Sequence, residues 1–146
     1  MKLNAIIIGA LFFIGCDFFS NYSGNSTAKV SEGTVDLEKD ILVDVREVSE
    51  INSGMVIGAQ WLSTSDIKSE SPRYNLFMKK LEKRKGKTIY LHCASGYRSS
   101  VFQKKLSKLG YNAVNLGGYQ DAIKNGLESF RPNLTTADSN CEKFCF

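Results

Sequence analysis

The sequence predicts an α/β layer fold, a mainly parallel central sheet with helices on its faces. Three observations predict it. Short apolar runs alternate with segments of helical periodicity between residues 40 and 126. The runs are almost continuously apolar, as in strands buried on both faces. Glycines punctuate most of the switches between the two patterns.

The first strand is Asp40 to Val45, "DILVDV", whose core is mostly β-branched. Glu47 to Ser53 follows as a short helix, with Val48 and Ile51 three apart and Gly54 as its stop. Ala59 to Leu62 is a second short strand. Ser71 caps a longer helix that has Pro72 in its first turn and ends at Gly86. Tyr74, Phe77, Met78 and Leu81 form its apolar stripe at i, i+3, i+4, i+7. "TIYLHC" is the next buried strand. Tyr97 to Leu109 is a helix with Phe102, Leu106 and Leu109 on one face, stopped by Gly110. Asn112 to Gly118 is a further strand and turn, and Tyr119 to Asn125 a last short helix.

The chain has 146 residues, 42% hydrophobic and 23% charged, with a net charge of +4. That suits one soluble domain. Lysines cluster at 79–87 and 104–108, both in helical patterns. Solvated helix faces account for them better than a nucleic-acid patch, so no nucleic-acid partner is expected.

Residues 1–15 read as a secretory signal. Lys2 gives a positive start, and Leu3 to Gly15 is apolar except for Asn4. The run is too short to cross a bilayer, which takes about 20 residues. It ends in "FIGC", which resembles the lipobox of bacterial lipoproteins, with lipid attached at Cys16. Phe13 and Ile14 depart from that pattern, and an ordinary signal peptide or an uncleaved anchor is the alternative. Residues 16–29, rich in Ser, Asn and Gly, read as a flexible tether. The expected location is the bacterial envelope or periplasm, with the chain held to a membrane by its lipid. Sequons at Asn21, Asn25 and Asn133 would matter only in a eukaryotic secretory pathway. The domain is placed at 30–131. A tail, 132–146, carries Cys141 and Cys145. A disulfide between them fits an oxidising compartment if the tail bends. As a dithiol, the pair could instead react with Cys93 or reduce it. A metal site is not expected, because no second ligand pair accompanies them.

"HCASGYRSS", His92 to Ser100, carries the chemistry. Ligands in parallel sheets bind beyond the carboxyl ends of strands, where Cys93 lies. Ala94, Ser95 and Gly96 are small enough for a tight curl with N–H groups turned inward, backed by the following helix N-terminus. Such a cradle stabilises a thiolate, so Cys93 is the nucleophile. Arg98, at the far end, offers a planar fork to an incoming oxyanion. Tyr97 and Ser99 complete the loop, and Ser95, Ser99 and Ser100 either stabilise the sulfur of Cys93 or cap the helix. Asp44 is expected to hydrogen-bond backbone near the loop, and Arg46 to line the entrance. His92 reads as a hydrogen-bonded strand-end residue pointing away from Cys93.

"CASGYRS" resembles the Cys-x-x-Gly-x-Arg loop of the rhodanese-like sulfurtransferases. "ILVDVREVSEINSGMVIGAQWL" is similar to that family's Asp-Val-Arg strand, short helix and Gly-His-Ile-Pro-Gly-Ala segment. "NLGGYQDAIKNG" is similar to its Gly-Gly segment and following helix. Met55 and Ile57 replace the family's His and Pro, and Ile123 stands where tryptophan is common. The resemblance implies a three-layer rhodanese-like fold, with about five strands in its central sheet, and sulfur transfer through a Cys93 persulfide. The donor would be thiosulfate or a persulfide, and the acceptor cyanide or a thiol. No cofactor is implied, and a monomer is expected. A cysteine phosphatase or arsenate reductase is disfavoured, because only Ala94, Ser95, Gly96 and Tyr97 separate the cysteine from the arginine. A phosphatase arginine would fall at Ser99. A persulfide carrier or redox sensor without turnover is the alternative of a different class.

Overall fold

A computed structural model describes residues 35–132. The elements are β1 (Ile41–Asp44), α1 (Val48–Ile51), β2 (Met55–Val56), β3 (Gln60–Trp61), α2 (Thr64–Ser69), α3 (Pro72–Glu82), β4 (Thr88–Cys93), α4 (Tyr97–Lys108), β5 (Asn112–Gly118), α5 (Tyr119–Lys124) and β6 (Ser129–Phe130). The central sheet has four strands in the order β3-β1-β4-β5, all parallel. β2 and β6 pair antiparallel as a separate ribbon. This is the expected α/β layer architecture, with four central strands rather than five.

Alternation along the strands sorts the core into two layers. Ile41, Val43, Ile89, Leu91, Cys93 and Ala113 face α3 and α4, against Tyr74, Phe77, Leu81, Phe102 and Leu106. Leu42, Leu116 and Trp61 face the other way, with Ile51, Met55 and Ala122. Phe77, Leu81 and Leu106 are almost wholly buried, each worth about 1.5–3 kcal/mol relative to exposure. The stripe expected on α3 is the one the sheet covers, with Met78 half-buried.

Chain order places the site. From β1 the sheet grows one way to β3 and the other way to β4. The switch point therefore lies beyond the carboxyl ends of β1 and β4, where Cys93 ends its strand. β4 and β5 slip register between Leu91 and His92, so that Leu91 faces Asn115 while His92 faces Gly117. This bulge brings Asn115 under the loop.

Several boundaries differ from the sequence expectation. α1 is one turn, and α3 stops at Glu82, four residues before Gly86. Gly86 lies in the following turn with φ +102°. α2, capped by Ser63 through the Asp66 N–H, was hidden because none of its residues is buried and it has no apolar stripe. β2 and β6 are two-residue strands, below what periodicity can register.

Candidate active site

The loop after β4 is fixed by close packing. Gly96 sits at φ +89°, and a Cβ there would come within 2.9 Å of the Gly117 Cα. A Cβ at Gly118 would approach the Ala94 carbonyl oxygen to 2.5 Å. Glycine is required on both sides of this contact, so the loop and the end of β5 are built as a pair.

Cys93 is fully buried at the base. The Gly96 N–H donates to its Sγ at 3.1 Å. Burial alone would raise the thiol. The Ser99 hydroxyl and the N–H groups of Ser99, Ser95 and Gly96 outweigh burial, and the thiol sits below its ordinary range. Ser99 Oγ has one proton and three acceptors in reach. These are Asn115 Oδ1 at 2.7 Å, the Gly96 carbonyl at 3.1 Å and Cys93 Sγ at 3.5 Å. The shortest holds the resting loop, and rotation toward sulfur answers developing thiolate charge. Ser99→Ala is therefore expected to slow thiol alkylation at neutral pH by about tenfold, the worth of one hydrogen bond to a charged group. An unchanged rate in an iodoacetamide titration would remove Ser99 from this role.

Asn115 is a site residue that the sequence reading missed. Its Nδ2 donates to the Gly96 carbonyl at 3.0 Å, and its Oδ1 accepts from the Gly117 N–H at 3.0 Å. It staples the loop to β5. Its signal was present as a polar residue inside the apolar run "AVNLGG".

Arg98 is not the open fork the sequence suggested. Its Nη1 and Nη2 donate to Glu50 Oε2 and Oε1 at 2.7 and 2.6 Å. A bidentate carboxylate on α1 therefore aims the guanidinium. Glu50, and to a lesser degree Cys93, holds the charge of Arg98 on. Arg98 pulls the Glu50 carboxyl below its usual range. Glu50 accepts the Glu47 N–H at 2.9 Å as well, so the residue that orients Arg98 also caps α1. Tyr97 is 69% exposed at the mouth beside exposed Ala94 and Ser95. Ser100 is turned into the helix, donating to the Tyr97 carbonyl.

Arg46 and Asp44 require correction. Arg46 is 3% exposed and does not line the entrance. Its Nε and Nη2 bind Asp44, Nη2 also donates to the Gly54 carbonyl at 2.6 Å, and the guanidinium lies 4.1 Å from the Tyr119 ring centroid. Asp44 accepts from Arg46, including its backbone N–H, rather than from the loop. A planar buried guanidinium demands such a carboxylate, and the two residues share one strand end. They fasten β1 to α1 and β2.

His92 points away from Cys93, as alternation requires, but its ring is not hydrogen-bonded. It is fully buried, with Nε2 3.6 Å from Asp44 Oδ2. Burial holds its pKa below 6.5, with Arg46 acting in the same direction and Asp44 against it. A histidine neutral in the fold and protonated in the unfolded chain costs stability as pH falls below about 6.5, by up to about 1.4 kcal/mol per pH unit. Urea midpoints at pH 7.5 and 5.5 should show this loss in the wild type and a smaller one in His92→Phe. Equal losses would assign the acid sensitivity elsewhere.

Among the described residues no group of three His, Cys, Asp or Glu side chains is placed to hold a metal ion. Cys16, Cys141 and Cys145 lie outside the described residues.

Comparison with known proteins places the fold. The model of the rhodanese-like domain family matches residues 27–125. This chain belongs to the rhodanese-like domain family. The structure is similar to a Helicobacter pylori protein solved by solution NMR, at 28% identity and TM-score 0.54, covering 78% of this chain and 93% of that one. It is also similar to a rhodanese-related protein from Thermoplasma volcanium, at 25% identity and TM-score 0.53, covering 66% and 88%. A rhodanese from E. coli solved with anions shares the fold at 20% identity and TM-score 0.50, covering 64% and 99%. No curated protein matches. The family supports a sulfurtransferase-type or related function for the rhodanese-like domain.

Proposed function

We propose that this rhodanese-like domain is a sulfurtransferase that carries a sulfane sulfur on Cys93. One observation carries the reading. Cys93 Sγ lies inside a small cradle of donors, with the Gly96 N–H at 3.1 Å and the guanidinium of Arg98 at the loop's end. The cradle fits one sulfur atom better than a tetrahedral phosphate, because only four residues separate the thiol from the arginine.

The Cys93 thiolate attacks the outer sulfur of thiosulfate. A new S–S bond forms at Cys93, the thiosulfate S–S bond breaks, and sulfite leaves with the electron pair. Arg98 faces the negative charge on the departing group, and the loop N–H groups hold the persulfide anion. Cyanide or a thiolate then attacks the outer sulfur, and the electron pair returns to Cys93 as thiolate. Ala94, Ser95 and Tyr97 form the rim over which both substrates enter. We place the reaction outside the cytoplasm, on a chain exported by residues 1–15 and lipid-anchored at Cys16.

A second reading, a persulfide carrier without turnover, is favoured by the full burial of Cys93 and by the engagement of Arg98 with Glu50. One experiment separates the two. The chain lacking residues 1–16 is mixed with thiosulfate and cyanide, and its mass and the thiocyanate formed are followed. A mass gain of one sulfur atom with many equivalents of thiocyanate supports the sulfurtransferase. A single equivalent of thiocyanate identifies the carrier. No sulfur gain by folded protein overturns both.

A further inference from the structure

The two lysine clusters that the sequence reads as separate solvated faces meet at one end of the fold. All four central strands run parallel, so β1, β4 and β5 begin along a single edge, opposite Cys93. α3 and α4 both run back toward that edge. Contacts join the pieces there. Tyr111, in the turn after α4, donates to Glu82 at 2.6 Å, and Lys87 Nζ donates to the Glu38 carbonyl at 2.9 Å. Lys79, Lys83, Lys85, Lys104 and Lys108 are exposed around this edge, with Leu109 52% exposed among them. Glu82 is the only carboxylate in residues 79–87, and Tyr111 and Lys85 already engage it. Residues 104–111 contain none. Asp36, Glu38 and Asp40 lie on the entry turn, where Asp36 pairs with Lys39.

The same edge receives the chain from its N-terminal segment, since the turn at Asp36–Asp40 leads directly into β1. The sequence before residue 35 contains the apolar run Leu3 to Gly15. We propose that this basic edge docks on the anionic headgroups of a phospholipid bilayer. The strand of Cys93 then stands away from that surface, and its mouth opens to the solvent roughly 17 Å beyond the basic edge. The sidedness rests on the reading of residues 1–29 as an anchor and tether. The preference for anionic lipid rests on the patch alone. A nucleic acid would meet the same charge, but nothing at this edge links it to nucleic acid, whereas the reading of residues 1–29 as anchor and tether favours a membrane.

The test uses the full chain with vesicles of phosphatidylglycerol or of phosphatidylcholine, and reads acetylation of each lysine by mass spectrometry. Lys83, Lys85 and Lys108 should react about fivefold more slowly on the anionic vesicles, where each lysine at the surface is attracted appreciably. Lys124, on the opposite face of the sheet, should react equally on both. The protection should vanish near ~1 M salt, where screening acts within about 3 Å. Charge reversal by Lys83→Glu, Lys85→Glu and Lys108→Glu together should abolish it at Lys79 and Lys104 and leave sulfur transfer unchanged. Equal acetylation on the two lipids overturns the proposal. So does protection by duplex DNA without protection by phosphatidylglycerol. A failed anchor shows separately, as loss of flotation with phosphatidylcholine vesicles.

Discussion

Cys93→Ser is expected to lower thiosulfate-to-cyanide transfer by about three orders of magnitude or more, to background. The reason is chemical rather than steric. A serine hydroxyl is not ionised near neutral pH, and its oxygen forms no bond to sulfur that an acceptor could later break. The cradle itself survives. The Gly96 N–H that donates to Sγ finds an oxygen acceptor instead, and Ser99 keeps its bond to Asn115. Stability should therefore change by only about 1 kcal/mol. Thermal melting of the variant beside its activity checks both halves. Transfer retained by folded Cys93→Ser protein would mean that sulfur passes through another group, with the tail cysteines the first to examine.

The parts of this fold that were legible are those whose pattern is local. Ile41 to Val43 and Ile89 to Leu91 read as buried strands because both faces are covered, and only Tyr90 among them is partly exposed. The α3 stripe was legible because one helix face meets one sheet. The nucleophile loop was legible because a thiol, a glycine and an arginine within six residues at a strand end constrain one another. Gly96 proves the point, since its φ and its contact with Gly117 both exclude a side chain.

What escaped was long-range pairing. Arg98 and Glu50 lie 48 residues apart, and nothing local in "VREVSE" distinguishes Glu50 from Glu47. Both are acidic residues beginning a helix. Only the pairing with Arg98 of α4 selects one of them. Arg46 was misplaced for a related reason. An arginine after a strand reads as solvent-facing unless its carboxylate and carbonyl partners are known, and the Gly54 carbonyl that completes them arrives with β2. Asn115 depends on a one-residue slip in register, which periodicity cannot see. His92 was expected to be hydrogen-bonded, and its buried ring has no hydrogen-bond partner instead.

The Arg98–Glu50 pair leads to the second large effect. Arg98→Ala should lower kcat/KM for thiosulfate by about a hundredfold, because the group facing the departing sulfite charge is gone. Glu50→Gln should act in a different way. It leaves the guanidinium in place but replaces a bidentate carboxylate with an amide that can accept on one oxygen only. The fork then loses its fixed direction, and a loss of about tenfold is expected. If Glu50 acts only by orienting Arg98, the two losses do not add, and the double variant should be no worse than Arg98→Ala. A double variant slower by the product of the two losses would mean that Glu50 serves the site independently, through its cap on α1. Full activity in Arg98→Ala would show that the loop N–H groups alone recognise the anion. The same comparison with a neutral persulfide donor supplies the control, since the Arg98 loss should shrink when the leaving group carries no sulfonate charge.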